Sequence, residues 1–128
     1  MRDYTTLEGV KTKGGKQYVQ NKKLLEEIIK SKERDQLTDT AVLYLQLIAE
    51  NLAKKKHYKC IEDKEDCIQT AMMDVAMYWR SFDPEKYNNP FAYYTSMIVN
   101  GLSKGWNKIY GKFKASEMTS LDNNIHSF

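Results

Sequence analysis

Apolar residues recur at every third or fourth position through most of this chain, and the protein's fold must satisfy that spacing. Such a repeat places side chains on one face of an α-helix, whereas a half-buried strand would alternate apolar and polar residues. Only two prolines and six glycines interrupt the 128 residues, so long helices are permitted. The sequence therefore predicts an all-α protein, folded as a small helical bundle.

The predicted bundle begins after a loose stretch of chain. Residues 1–20 are polar, contain Gly14-Gly15 and show no sustained period, so they are predicted to be a flexible arm. A first amphipathic helix covers 21–33. A second starts at Thr38, a residue type that caps helix N-termini, and is apolar on most sides, as expected of a central helix. The bundle is predicted to span 21–111, with 112–128 as a tail.

The third helix, predicted from about Asp63 to Ser81, has two distinct faces. The core face carries Ile68, Ala71, Met72, Val75, Tyr78, Trp79 and Phe82. The opposite face carries Asp66, Gln69, Thr70, Met73, Met77 and Arg80. Methionines beside polar groups suit a protein interface because they repack easily. The simpler interpretation is that Met73 and Met77 meet another helix of the same domain.

The fourth helix is predicted to begin at Asn89-Pro90, a cap followed by a proline suited to the first turn, and to end near Tyr110. Its outer face carries Tyr93, Met97, Asn100, Lys104 and Lys108. Gly101 and Gly105 lie near its core side, where they are expected to permit close contact with another helix.

The segment from Lys86 to Ser116 is basic and rich in aromatic rings. It contains no acidic residue, five lysines and seven of the fifteen aromatic residues. Lysines neutralise phosphates and rings stack on bases, so this composition suits nucleic acid. An ordinary solvated helix face is the alternative interpretation.

Other classes of function lack support in the sequence. It has no glycine-rich phosphate loop, nucleophile elbow or HExxH helix, and its two histidines are isolated, so we do not expect an enzyme. The two cysteines, Cys60 and Cys67, form no CxxC pair, and no metal or cofactor is expected. No signal-peptide pattern or membrane-spanning run is visible, which suggests a cytoplasmic protein.

The segment from Asp66 to Lys86 resembles region 2 of the bacterial sigma factors. That family places an acidic residue, an aliphatic pair and a glutamine here, followed by a helix ending in Phe-Asp-Pro-Glu-Arg, and this chain has Phe82-Asp-Pro-Glu-Lys86. The following Tyr93, Thr95 and Ile98 resemble the family's Thr-Tyr-Ala-Thr-Trp-Trp-Ile helix.

The chain is more similar still to the small late-transcription sigma factors of T-even-like tailed phages. The similar residues are Tyr18-Val19, Asn21-Lys22, Leu24-Leu25, Ile28-Ile29, Leu47-Ile48-Ala49-Glu50, Leu52, Phe82-Asp83, Lys86-Tyr87, Asn89-Pro90 and Ala92-Tyr93. The likeness covers roughly residues 18–110. It implies a sigma region 2 bundle that acts in an infected bacterial cell, with core RNA polymerase and promoter DNA as partners.

The resemblance assigns roles to the two outer faces. Polymerase binding, at the coiled-coil clamp helices of the β′ subunit, falls on Asp66, Gln69, Thr70 and Met72, and the exposed-face pattern adds Met73. DNA binding, at the TATA-like upstream element of late promoters, falls on Tyr93, Asn100 and Lys104. The outer-face pattern adds Met97 and Lys108, and Tyr94 is a further candidate for strand opening.

Two parts of the family pattern differ here. Ser96 and Met97 replace the tryptophan pair that props the strand edge, and two upstream aromatics fall on Asn88 and Pro90. Opening is then expected to depend on Tyr93, Tyr94 or Phe91, or on a coactivator. The tail offers a sliding-clamp peptide by analogy, at Leu121, Ile125 and Phe128.

Two alternatives stay open from the sequence. A polymerase-binding regulator, such as an anti-sigma factor or appropriator, would keep the docking face and open no promoter. A stand-alone nucleic-acid-binding protein would use the basic segment from Lys86 to Lys114 without polymerase and with steep salt dependence.

Overall fold

A computed structural model describes Tyr4 and residues 6–111, which form four α-helices and one two-stranded sheet. The strands are β1 (Val10–Lys13) and β2 (Lys16–Val19). The helices are α1 (Asn21–Glu33), α2 (Asp39–Ala53), α3 (Ile61–Tyr78) and α4 (Pro90–Trp106). A 3-10 turn, Trp79–Ser81, extends α3, and a π-helical turn, Asn107–Gly111, extends α4. The predicted small helical protein is confirmed, but the chain is not all-α as predicted, because it also contains this two-stranded sheet.

The structure differs from the predicted loose arm at residues 10–19, which form an antiparallel hairpin. Gly14 and Gly15 make its two-residue loop, with φ of 59° and 79°. Two successive positive φ angles belong to the type I′ turn that matches the twist of the flanking strands. Because Tyr4 and Val19 are buried in the main core, this segment belongs to the folded body and not to an arm before it.

The predicted helix starts are confirmed at α2 and α4. Thr38 caps α2, where its hydroxyl accepts a hydrogen bond from the Ala41 amide at 3.1 Å. Asn89 caps α4 by accepting from the Ala92 amide at 3.1 Å, and Pro90 follows as the first helical residue. Both caps satisfy an amide that lacks a partner within its own helix.

The centre of the bundle is α2. It contributes the buried residues Ala41, Tyr44, Leu45, Leu47, Ile48, Ala49 and Ala53. β2, α1, α3 and α4 all pack against it, so a helix that is apolar on most sides is buried on most sides, as predicted.

The closest helix pair is α3 with α4, which run antiparallel and approach each other at two glycines. A Cβ added to Gly101 would lie 2.6 Å from the Ala71 Cα, and one added to Gly105 would lie 3.0 Å from the Cys67 Cα. The expectation that these glycines permit close contact is confirmed. Tyr78, predicted to be in the core, is instead 53% exposed, because α3 ends there and the chain tightens into the 3-10 turn.

Candidate functional site

The outer face of α3 is exposed along the stripe that the sequence indicated. Asp66 and Gln69 are exposed, and Met73 and Met77 expose 65% and 62% of their surfaces. Thr70 is half-buried, and its hydroxyl donates to the Asp66 carbonyl oxygen at 3.0 Å. Four of these side chains are therefore available to a partner, while Thr70 is engaged with its own helix.

A groove of about 680 Å³ runs between α2 and α3 beside this stripe. Its walls are Gln46, Glu50, Ile61, Lys64, Glu65, Ile68, Gln69, Met72, Met73 and Ala76. Three of the five predicted polymerase-binding residues line it, namely Gln69, Met72 and Met73, whereas Asp66 and Thr70 lie outside it. Met72, half-buried against the core, forms part of the wall.

The α2 side of the groove holds polar residues that the sequence did not indicate as functional. The Gln46 side-chain amide donates to Glu50 Oε2 at 3.0 Å. Glu50 Oε1 is buried and meets no hydrogen-bond donor within the described part of the chain. A buried carboxylate oxygen without a donor is unfavourable, so it is a ready acceptor for a group entering the groove. Helical periodicity could not reveal this, because it does not say which helices meet.

The outer face of α4 lies beside that of α3 and carries fewer free charges than its sequence suggests. Asn100, Lys104 and Lys108 are exposed, and Met97 is half-buried against the core. The Lys104 ammonium group lies 2.8 Å from Asp74 Oδ1 of α3. This ion pair neutralises one of the predicted DNA-facing lysines and joins the two outer faces into a single surface.

A hollow of about 520 Å³ opens at the start of α4, against the turn that follows α3. It is lined by Phe82, Lys86, Tyr87, Asn88, Asn89, Ala92 and Tyr93. The Phe82 ring centroid lies 5.2 Å from that of Tyr93 and 6.4 Å from that of Tyr87. The hydroxyls of Tyr93 and Ser81 share a hydrogen bond that fixes the Tyr93 ring.

The aromatic hollow combines flat walls with polar edges. Phe82 is fully buried and forms its floor, whereas Tyr87 is 58% exposed. Lys86 and Asn88 are exposed at its rim. Tyr87, Lys86 and Asn88 were not singled out as site residues, although an aromatic, an amide and a lysine in one turn were a signal for them. The hollow has the shape and the chemistry to take a planar, hydrogen-bonding ring.

The structure corrects the assignment of Tyr94 to DNA contact. Its side chain is fully buried, and its hydroxyl donates to the Trp79 carbonyl oxygen at 2.7 Å. Burial, with a smaller contribution from Tyr93, raises the pKa of Tyr94, so the phenol stays protonated. Tyr94 holds α4 against the end of α3, where no base could stack on it.

The remaining predictions concern the tail and the membrane. The clamp-binding residues Leu121, Ile125 and Phe128 lie outside the described residues. Among residues 6–111, no helix has both the length and the apolar character needed to cross a membrane.

No protein-family model matches the chain, and no curated protein matches it significantly.

Proposed function

We propose that this protein is a small phage-type late sigma factor, which binds bacterial core RNA polymerase and helps it recognise and open promoter DNA. The proposal begins from the resemblance of residues 18–110 to that family. One structural observation supports it most directly. Two antiparallel helices, α3 and α4, expose adjoining faces of different chemistry, one with methionines and one with an aromatic hollow.

The α3 face would bind the polymerase. Met73 and Met77 offer apolar, adaptable surface, and Gln69 and Asp66 offer polar groups that fix orientation. The adjoining groove would take side chains of a partner helix, and Glu50 Oε1 would accept a hydrogen bond from one of them. The family resemblance identifies that partner as the clamp helices of the β′ subunit.

The aromatic hollow would hold a base from the opened strand. Extruding a base costs a few kcal/mol, and stacking on an aromatic side chain returns about 1–3 kcal/mol. Tyr87 and Tyr93 supply the rings, Asn88 supplies an amide, and Lys86 supplies a charge for the adjacent phosphate. This hollow would replace the tryptophan pair whose positions are Ser96 and Met97 here.

Promoter recognition would then depend on the polymerase. Because Asp74 neutralises Lys104, the outer face of α4 attracts duplex DNA less strongly than five lysines in its segment suggest. We therefore expect the isolated chain to show no sequence preference for promoter duplex, which distinguishes it from a stand-alone sequence-specific binder.

Co-purification with bacterial core RNA polymerase tests the docking face. The natural chain should be retained, and the double variant Asp66→Ala/Gln69→Ala should lose at least tenfold in affinity. Glu33→Ala/Gln36→Ala is the matched control, since it removes a carboxylate and an amide from exposed positions at the end of α1. Failure of the natural chain to bind core polymerase from any plausible host would refute the proposal.

Promoter opening separates a sigma factor from a polymerase-binding regulator. With core polymerase and a TATA-like late promoter, the natural chain should make thymines of the upstream element reactive to permanganate. Tyr87→Ala should lower that reactivity while leaving polymerase binding unchanged. Retention by the polymerase without any opening would instead indicate a regulator.

A further inference from the structure

The outer face of the N-terminal hairpin is a compact basic surface. In the register of the two strands, Lys11 pairs with Tyr18 and Lys13 pairs with Lys16. Side chains alternate along a strand, and Val19 points into the core, so these four residues share the opposite face. All four are exposed, and Tyr18 exposes 40% of its surface.

In the described residues, no acidic side chain pairs with the lysines of this face, which are Lys11, Lys13 and Lys16. Like charges directly opposite each other, such as Lys13 and Lys16, destabilise a strand pair. The face therefore has an electrostatic cost in the isolated chain, which a bound polyanion would remove.

The fold brings further lysines towards the same end of the molecule. The Tyr44 hydroxyl donates to the Glu8 carbonyl oxygen, and the Asn51 side-chain amide donates to the Gln17 carbonyl oxygen at 2.8 Å. These two contacts align the hairpin with α2, so that its tip points towards the C-terminal end of that helix. The exposed Lys54 and Lys55 follow there directly.

We infer that this hairpin face, with Lys54 and Lys55 at the same end of the molecule, binds the phosphate backbone of double-stranded DNA without regard to sequence. Duplex DNA carries a negative charge about every 1.7 Å of helix axis, so several lysines on one small face can each contact a phosphate. Lysine ammonium groups neutralise phosphates, and the four residues of this face include no arginine, asparagine or glutamine for a bidentate contact with a base edge.

The lysines of this surface do not line the aromatic hollow. The loop after α2 is held at the far end of α4, where the Trp106 indole donates to the His57 carbonyl oxygen at 3.2 Å. About 25 Å of helix separates that loop from the hollow, which lies at the first turn of α4. Only the base of the hairpin lies near that turn, where the Phe91 amide donates to Asn21 Oδ1 at 3.1 Å. The inference therefore does not depend on the proposed function, and it would hold for the isolated chain.

The test measures the affinity of the full chain for a short, fluorescently labelled duplex of random sequence, at a series of low salt concentrations. The variant is Lys11→Gln/Lys13→Gln/Lys16→Gln. The control, Lys22→Gln/Lys30→Gln/Lys64→Gln, makes the same change in net charge on the helices. Circular dichroism establishes that both remain folded, as expected, since five of the six lysines are exposed and Lys64 is half-buried.

We expect the natural chain to bind the duplex with a strong salt dependence. The hairpin variant should lower the slope of log affinity against log salt by about 2–3, since each phosphate contact contributes about 0.9. The control should change the slope by less than about 1. An equal loss of slope in both variants, or no duplex binding by the natural chain, would overturn the inference. The lysines would then serve only to prevent the hairpin edges from pairing with other strands. Since no polymerase is present, neither result bears on docking.

Discussion

Gly101 determines how closely α3 and α4 can approach. A Cβ at this position would lie 2.6 Å from the Ala71 Cα and 3.1 Å from Asp74 Oδ2. Backbone atoms cannot rotate away, so Gly101→Ala must push the helices apart. We expect the free energy of unfolding to fall by about 1–3 kcal/mol, despite the higher helix propensity of alanine.

Urea denaturation measures this change, and Gly111→Ala is the control. A Cβ at Gly111 would meet its nearest neighbour, the Cβ of Asn107, at an ordinary 3.7 Å. That variant should unfold within about 0.5 kcal/mol of the natural chain. If Gly101→Ala proved equally stable, the close approach of the two helices would not be a constraint.

Cys67 makes the stability of the protein depend on pH in the alkaline range. Burial, with smaller contributions from Asp63 and Asp66, raises the pKa of its thiol to about 11. In the unfolded chain a thiol ionises near pH 8.5, so the folded state holds this proton more tightly. Its stabilising contribution is therefore complete below about pH 8.5 and is lost as the pH rises towards 11.

We expect the free energy of unfolding to fall by about 1 kcal/mol between about pH 8 and pH 9.5, where most tyrosines of the unfolded chain are still protonated. Urea denaturation at each pH gives this profile. Cys67→Ala should flatten it, even though the smaller side chain lowers stability at every pH. Cys60→Ala, at an exposed position, should leave the slope unchanged, and a full slope in Cys67→Ala would contradict the assignment.

The sequence located the exposed residues better than the contacts they make. The helical period placed Gln69, Met73 and Asn100 on outer faces, and they are there. The same period places Tyr94 with Ile98 and Leu102 on the inner side of α4, opposite Tyr93, and Tyr94 is buried there. Tyr94 was a DNA-binding candidate only because an aromatic residue was sought in place of the tryptophan pair. Its hydrogen bond to the Trp79 carbonyl oxygen, at the turn after α3, is a contact that no period describes.

At the scale of elements, the start of α2 is linked to α1 by a short hydrogen-bond network. The Thr38 hydroxyl accepts from the Ala41 amide at 3.1 Å and donates to Glu27 Oε1 at 2.7 Å. The buried Ser31 hydroxyl accepts from the Thr38 amide at 3.0 Å and donates to the Glu27 carbonyl oxygen at 2.8 Å. Thr38 thus caps α2 and also forms a hydrogen bond between α2 and α1.

Thr38→Ala should lower the free energy of unfolding by about 1–2 kcal/mol, because it removes the cap and the hydrogen bond from the Thr38 hydroxyl to Glu27 Oε1. Thr38→Ser keeps the hydroxyl and should recover most of that loss. Thr40→Ala, two residues further along the chain, should lower the free energy of unfolding by only a few tenths of a kcal/mol. Thermal or urea unfolding ranks the three, and equal losses at Thr38 and Thr40 would argue against a specific cap.

The hairpin shows why some elements were predicted and others were not. Helices of 13 to 18 residues repeat their apolar pattern several times, so their period is visible in the sequence. Strands of four residues, VKTK and KQYV, are too short to show alternation. The available signal was Gly14-Gly15 between two such runs, which is a known two-residue hairpin loop.

At the scale of the whole molecule, the candidate surfaces arise from packing. The groove is lined by residues of both α2 and α3, among them Gln46 and Gln69, and the aromatic hollow is lined by the turn at Lys86–Asn89 together with α4. Periodicity assigns a residue to a face of its own helix and gives no information on which helix lies next to it. The residues of α2 and of the turn were therefore missed.

The two outer faces should be separable by substitution, since α3 and α4 carry them independently. Met73→Gln/Met77→Gln removes apolar surface that is 65% and 62% exposed, so the free energy of unfolding should change by less than about 0.5 kcal/mol. Affinity for core polymerase should fall at least tenfold, because a docking face loses its apolar contacts. Asn100→Ala should instead keep polymerase affinity and lower promoter opening about tenfold, as loss of one base contact would.

Two assays on the same preparations test whether polymerase binding and promoter opening are separable. They are a fluorescence titration with core polymerase and the permanganate reactivity of the promoter. Ile29→Gln/Val42→Gln, each 38% exposed on the other helices, controls for the loss of exposed apolar surface and should bind polymerase normally. The separation matters because the proposed function requires one chain to hold the polymerase while DNA is opened. If Met73→Gln/Met77→Gln bound polymerase normally, or if Asn100→Ala lost polymerase and promoter activity together, α3 and α4 would not have the separate roles proposed for them.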